Sequence, residues 1–147
     1  MIFEYRAKDV LKGKWVFGDL IRTNPDINPD TTSSYKIKNN LVDFNTISIY
    51  LNYKDSTGKK IYGYDIIKLN NNKYLIYYDI KQCSYCLLKL NELDMTLFHN
   101  DLQYIKIVPE KNWWIKNIKD ITVIGNLFDN KELLYGLTYD DIINFNI

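Results

Sequence analysis

Few side chains in this sequence are suited to chemistry, and they do not gather into a familiar set. There are two cysteines, Cys83 and Cys86, in Cys-Ser-Tyr-Cys. A zinc site takes about four ligands in a tetrahedral array; beyond this pair the chain offers one histidine, His99, and carboxylates. A redox pair belongs at a helix start in a thioredoxin-like βαβ setting, whereas this stretch reads as strand, which turns the two side chains to opposite faces. They are read as small buried or edge residues, free thiols in a reducing cytosol. His99 has no Ser or Cys motif to anchor a triad and is read as capping the turn before the next strand. Asp26 and Asp30 stand beside Asn-Pro steps and are turn formers. Of Asp140 and Asp141, Asp141 is read as charge at a helix N-terminus. Asp65 lies inside an apolar strand between Tyr64 and Ile66, and a bond to hairpin backbone amides is preferred for it over acid–base or metal work. No catalytic residue, metal or cofactor is expected.

The residues suited to binding are aromatic and basic. Trp15 is assigned to the core, where an indole contributes large buried area. Trp113-Trp114 lies in a segment read as a loop, Pro109–Asn117. Adjacent residues of extended chain point opposite ways, so one ring is expected to be exposed beside Lys111 and Lys116, suited to stacking on a base or a protein partner. The alternative buries one Trp and packs the other at a subunit edge. Lys54, Lys59 and Lys60 sit on a hairpin tip and, with Lys36 and Lys38, suggest a basic face; the alternative is that they solvate a sheet edge.

The elements that must position these groups are short strands. The chain has 147 residues, 46% hydrophobic and 25% charged, an ordinary globular balance that argues against a disordered regulator. A single domain over 1–147 is expected, with room for two β subdomains and a surface loop near 23–34. Strand character is read at Ile2–Lys8, Lys14–Arg22 with a central Gly18, Tyr35–Lys38, Thr46–Tyr53, Ile61–Leu69, Lys73–Ile80, Cys83–Leu90, Leu102–Val108 and Ile121–Gly125. Lys12-Gly13 and Asn70–Asn72 are turns, and Gly58 supplies the positive φ of a hairpin turn over Lys54–Lys60. Gly125-Asn126 is read as a turn with a structural role. Asn91–Asn100 is ambiguous, since Leu93, Leu97 and Phe98 could share a helical face. Thr138-Tyr139-Asp140-Asp141 has the pattern that opens a short helix. The sum is a mainly β fold, a barrel or sandwich, with little helix.

Four motifs in order then carry a resemblance: Tyr5-Arg6-Ala7-Lys8; Lys14-Trp15-Val16-Phe17-Gly18-Asp19-Leu20; Lys54-Asp55-Ser56-Thr57-Gly58-Lys59-Lys60-Ile61-Tyr62-Gly63-Tyr64-Asp65-Ile66-Ile67; and Val123-Ile124-Gly125-Asn126 with Glu132-Leu133-Leu134. Together they resemble the YopX family across nearly the whole chain. The family's glycine before the Asp is Tyr64 here, and because a Tyr resists a left-handed conformation, a different local turn is expected. The resemblance implies phage or prophage origin in low-GC bacteria and a small Src-homology-3-like barrel around the Asp65 strand. It supplies no catalytic residues.

The formal net charge is +1, without the basic excess usual for duplex DNA binding. The N-terminus lacks a signal peptide pattern and no run is apolar enough to span a membrane, so a cytoplasmic location is expected. The expectation is a binding protein without catalytic activity that contacts a bacterial host protein, inhibiting or redirecting a defence factor. The second reading is a small nucleic-acid-binding protein using the barrel face and the hairpin lysines. Edge strands and exposed aromatics suggest a homo-oligomer.

Overall fold

Two of the expected strands are each broken in two, and the breaks define the architecture. The computed structural model describes residues 1–23, 34–90 and 106–145. Asp26, Asp30, His99, the Leu93/Leu97/Phe98 face and residues 102–105 of the strand expected before Val108 lie outside the described residues. The chain divides into two compact units, Met1–Asn52 and Tyr53–Ile147. All described strand pairings are antiparallel, in sheets of four, five and three strands. Among the described residues these sheets do not close into a barrel, so the closed Src-homology-3-like barrel expected from the resemblance is not seen there.

In the first unit, β1 (Tyr5–Lys8) pairs with β2 (Trp15–Gly18) through the Lys12-Gly13 turn, where Gly13 has φ +66°. The Lys14–Arg22 stretch does not continue as one strand. It stops at Gly18 (φ +148°) and resumes as β3 (Ile21–Thr23) in another sheet, beside β4 (Ser34–Ile37) and β5 (Asn40–Leu41). A Cβ on Gly18 would stand 3.3 Å from the Lys38 side chain and 3.4 Å from Ile37, so the glycine supplies both the bend and the clearance. The β4–β5 hairpin turns on Lys38 and Asn39, both at positive φ (+48° and +65°), the backbone a two-residue hairpin loop needs to match strand twist. Ala7, Ile37 and Val42 form the buried centre of this unit.

The unit boundary falls within β6 (Ser48–Lys54), whose Ser48 and Tyr50 are buried while Ile49 and Leu51 are half-buried. β7 (Lys60–Tyr62) follows the Gly58 turn, where φ is +88° as expected. The Ile61–Leu69 stretch then breaks at Gly63-Tyr64, and β8 (Asp65–Leu69) enters the five-stranded sheet with β9 (Asn72–Asp79), β10 (Ser84–Leu90), β11 (Lys106–Ile107) and β12 (Ile121–Asn126). β9 lies in the middle, and its run Tyr74–Tyr77 is buried on both faces. Leu75 and Tyr77 join Ile66, Cys86, Leu88, Leu127, Leu134 and Ile142 in the core.

At the second break Tyr64 takes φ +65°. The left-handed conformation expected to be lost with the family's glycine is therefore kept by a tyrosine. An L-residue pays about 1–2 kcal/mol for that backbone. Two things hold it there. Its N–H donates to the Ile76 carbonyl at 2.9 Å, and its own carbonyl accepts from Leu127 at 2.9 Å. Its ring packs against the core, edge-on to Phe128 (5.9 Å) and Tyr139 (6.3 Å). Gly63 is the glycine this turn requires, because a Cβ there would meet the Tyr85 ring at 2.7 Å.

The Tyr64 phenol is pushed up to about 12 by burial and by the neighbouring Tyr139. Its folded pKa lies above the unfolded value near 10, so its contribution is intact below pH 10 and is lost as pH rises towards 12. Alkaline difference spectroscopy is expected to show Tyr64 ionising later than an exposed phenol, together with unfolding, and Tyr64→Phe is expected to remove that late step. An unchanged late step in Tyr64→Phe would refute the assignment.

Candidate interaction surface

The buried acids described in the second unit serve its own backbone. Asp65 is buried, and its Oδ2 accepts from the Tyr62 N–H at 2.8 Å, the hairpin role read from sequence. Asp55, missed in the sequence, is buried at the β6–β7 turn. Its Oδ1 accepts from the Thr57 N–H (2.9 Å), the Thr57 hydroxyl (2.7 Å) and the Lys59 N–H (2.9 Å), while Oδ2 accepts from the Val123 N–H (2.9 Å). The adjacent Ser56 N–H donates to the Ile121 carbonyl at 2.8 Å. The turn thus closes the outer edge of β12. Burial raises the Asp55 carboxyl, but the bonds from Val123, Thr57 and Lys59 outweigh it and hold it below the usual carboxylate range. Asp-x-Thr-Gly is an Asx-turn pattern, the one signal that marked this residue.

Asp79 at the end of β9 is buried too, accepting from the Lys106 ammonium at 2.6 Å and the Lys81 N–H at 2.9 Å. Burial raises its carboxyl, and the Lys106 and backbone bonds bring it below the usual range. Cys86 is buried in the core, and burial pushes its thiol up; Cys83 is exposed in the preceding turn at φ +50°, not in the strand. Among the described residues, no three His, Cys, Asp or Glu side chains come together as a metal site. Thr138 and Asp141 form the reciprocal cap expected of them: the Thr138 N–H donates to Asp141 Oδ2 (2.9 Å) and the Asp141 N–H to Thr138 Oγ1 (3.2 Å), opening α2 (Tyr139–Phe145).

The Val-Ile-Gly-Asn signature is scaffold, with one correction. Gly125 lies in β12, where the strand expected over Ile121–Gly125 puts it, beside a register shift from Val123, and the turn expected at Gly125-Asn126 comes after it. Asn126 Oδ1 accepts from the Phe128 and Asp129 N–H groups at 2.9 Å each, and Asn130 Oδ1 accepts from the Asn126 N–H at 3.0 Å. A Cβ on Gly125 would lie 2.6 Å from Asn130 Cγ and Oδ1, so close approach is what the glycine allows. Leu134 is buried in the core and Leu133 packs against it.

The aromatic and basic groups were partly misplaced by the sequence. Trp15 is half-buried rather than core, with the Arg6 guanidinium 4.6 Å and the Lys8 ammonium 5.4 Å from its ring centre. Residues Lys111–Asn117 form a short helix, α1, not a loop. Helical geometry does not send adjacent rings to opposite sides, and the two indoles meet edge to face at 5.2 Å. Trp114 is buried, stacked on Tyr53 at 4.8 Å with 15° between planes; Trp113 is half-buried. The exposed apolar side chain of α1 is Ile115, at 59%. The Tyr53–Trp114 stack sets α1 beside the strand that carries Lys54, so the helix and the lysine hairpin come together. Lys54, Lys59, Lys111, Lys116 and Lys119 are exposed, and Lys60 is half-buried. Lys36 and Lys38 belong to the first unit.

The two units define a mainly β protein whose described buried acids are fastened to its own backbone and whose exposed groups include lysines, acids and large apolar side chains. It matches the family described as YopX protein over residues 4–135, and it belongs to that family. Comparison with curated proteins finds no match. No helix among the described residues is long and apolar enough to cross a membrane.

Proposed function

We propose that this protein is a phage- or prophage-encoded binding protein that acts by protein–protein contact, without chemistry of its own, and inhibits or redirects a host factor in the bacterial cytosol. The observation that carries this reading is the surface made by α1 and the β6–β7 hairpin. Exposed Ile115 stands on a helix held from below by the Tyr53–Trp114 stack, with Lys111 and Lys116 on the same helix and Lys119 in the 3-10 turn that follows it. A rigid apolar anchor ringed by charge suits a protein interface, the anchor giving affinity and the rim giving orientation. Family membership supports the phage setting.

The same lysines favour a second reading, contact with nucleic acid. Affinity capture from host lysate, with and without nuclease, separates the two. The expected result is one specific protein retained after nuclease and at moderate salt, and lost with Ile115→Asp while the fold is kept. Capture that vanishes with nuclease supports the second reading. Capture indifferent to Ile115→Asp removes this surface from the proposal. Self-association through the same face would appear in light scattering as an oligomer that Ile115→Asp dissolves.

A further inference from the structure

The first unit carries a different surface, formed where the β1–β2 turn meets the β4–β5 hairpin. Asp9, Leu11, Lys12, Lys36, Asn40 and Leu41 contribute to a cavity of about 390 Å³. Register explains how they meet. Ile21, Lys36 and Leu41 lie side by side across β3, β4 and β5, and the Val10 N–H donates to the Leu41 carbonyl at 2.9 Å, extending the row. The apolar members are exposed: Val10 54%, Leu11 94%, Ile21 57%, Leu41 43%. Exposed apolar residues grouped in this way, rimmed by polar ones, mark interaction sites.

Charge narrows the occupant. The ammonium groups of Lys12 and Lys36 have no partner among the described residues. Asp9, the acid in the lining, is already engaged: its Oδ1 accepts from the Lys12 and Gly13 N–H groups. The turn is built on this acid, and Lys12 and Lys36 are exposed. Two ammoniums among leucine, isoleucine and valine side chains complement carboxylates set beside apolar residues. A phosphate backbone fits less well, because the residues lining the cavity include apolar side chains for a peptide to cover and no aromatic ring for a base to stack on.

We infer that this face of the first unit binds an acidic, apolar peptide segment of a partner protein, its carboxylates on Lys12 and Lys36 and its apolar side chains over Leu11, Leu41, Val10 and Ile21. The site is built wholly from the first unit, so its failure and that of the α1 surface are separable.

The test uses the full chain and fluorescein-labelled decapeptides in which Glu alternates with Leu, against a set with Lys in place of Glu and a set with Ser in place of Leu. Binding by anisotropy is expected for the Glu/Leu set alone, weakening as salt rises. Lys36→Glu and Leu41→Ser are each expected to lower its affinity by about tenfold, the scale of one charge-assisted hydrogen bond or one buried side chain. Ile115→Asp is expected to leave it unchanged. Circular dichroism and fluorescence from the indoles report that the variants fold. Equal binding of the Lys/Leu set, an unaltered affinity in folded Lys36→Glu, or displacement of the peptide by a single-stranded oligonucleotide would overturn the inference.

Discussion

Asp55→Ala is expected to destabilise the second unit by roughly 3–4 kcal/mol, because it removes an acceptor of charge-assisted hydrogen bonds and leaves the Val123 N–H without its partner. Asp55→Asn keeps the shape and one acceptor oxygen but turns an NH₂ towards one set of donors. It is expected to fall between wild type and Asp55→Ala, losing about 1.5–2 kcal/mol. Denaturant unfolding followed by the fluorescence of Trp114, in the same unit, measures both; a loss below about 1 kcal/mol for Asp55→Ala would contradict the role assigned to this carboxylate. The pH dependence follows in sign. Asp55 and Asp79 both have folded values below the usual carboxylate range, so the stability they add is present above the unfolded value near 3.8 and is lost as pH falls through their lower folded values. Acid unfolding below about pH 4 is therefore expected to be blunted in Asp55→Asn.

The second large effect is expected at Gly125. An alanine there places its Cβ 2.6 Å from Asn130 Cγ and Oδ1 and 2.9 Å from Asn130 Cβ. The Asn130 side chain cannot rotate away without giving up its bond from the Asn126 N–H, and it is too short to bend around the intruding methyl. Overlap plus a lost bond amounts to about 2–3 kcal/mol. A double-mutant cycle gives the mechanism its own test. If Asn130 is the obstacle, Asn130→Ala is expected to be harmful in the wild-type background and nearly neutral or restoring once Gly125→Ala is present. Additive losses would show that the glycine matters for some other reason.

Local chemistry was legible in the sequence, and long-range placement was not. The Thr138–Asp141 cap and the Gly58 turn are complete within a few residues, and both stand where the pattern put them. Asp65 was correctly assigned to hairpin amides because its partner, Tyr62, is three positions away. Asp55 was overlooked because the donor that gives it weight, Val123, is 68 positions along the chain. Alternation ran through Gly18 and Gly63-Tyr64 without a sign that the chain changes sheets there, since both halves of each run have strand spacing. At α1, seven residues are too few for a helical period to declare itself, and Trp113-Trp114 was read as extended chain. That error moved the exposed anchor from an indole to Ile115. The lysine hairpin was found, but its closeness to α1 depends on Tyr53, a residue that alternation shows only as one more strand aromatic.

The Asp55 turn also bears on the order in which the second unit can finish folding. The β6–β7 hairpin and the β8–β9–β10 meander pair segments close in sequence, which form early at small entropic loss. The hairpin carboxylate reaches its last donor, and β8 its outer neighbour, only when residues 121–126 arrive. β12 is thus a latch supplied late by the chain, joining two locally formed pieces in one step. A chain cut short of Ile121 would hold most of the strands of this unit and still leave an open sheet edge beside a carboxylate whose Oδ2 lacks its Val123 donor, the combination that invites another chain to dock in its place.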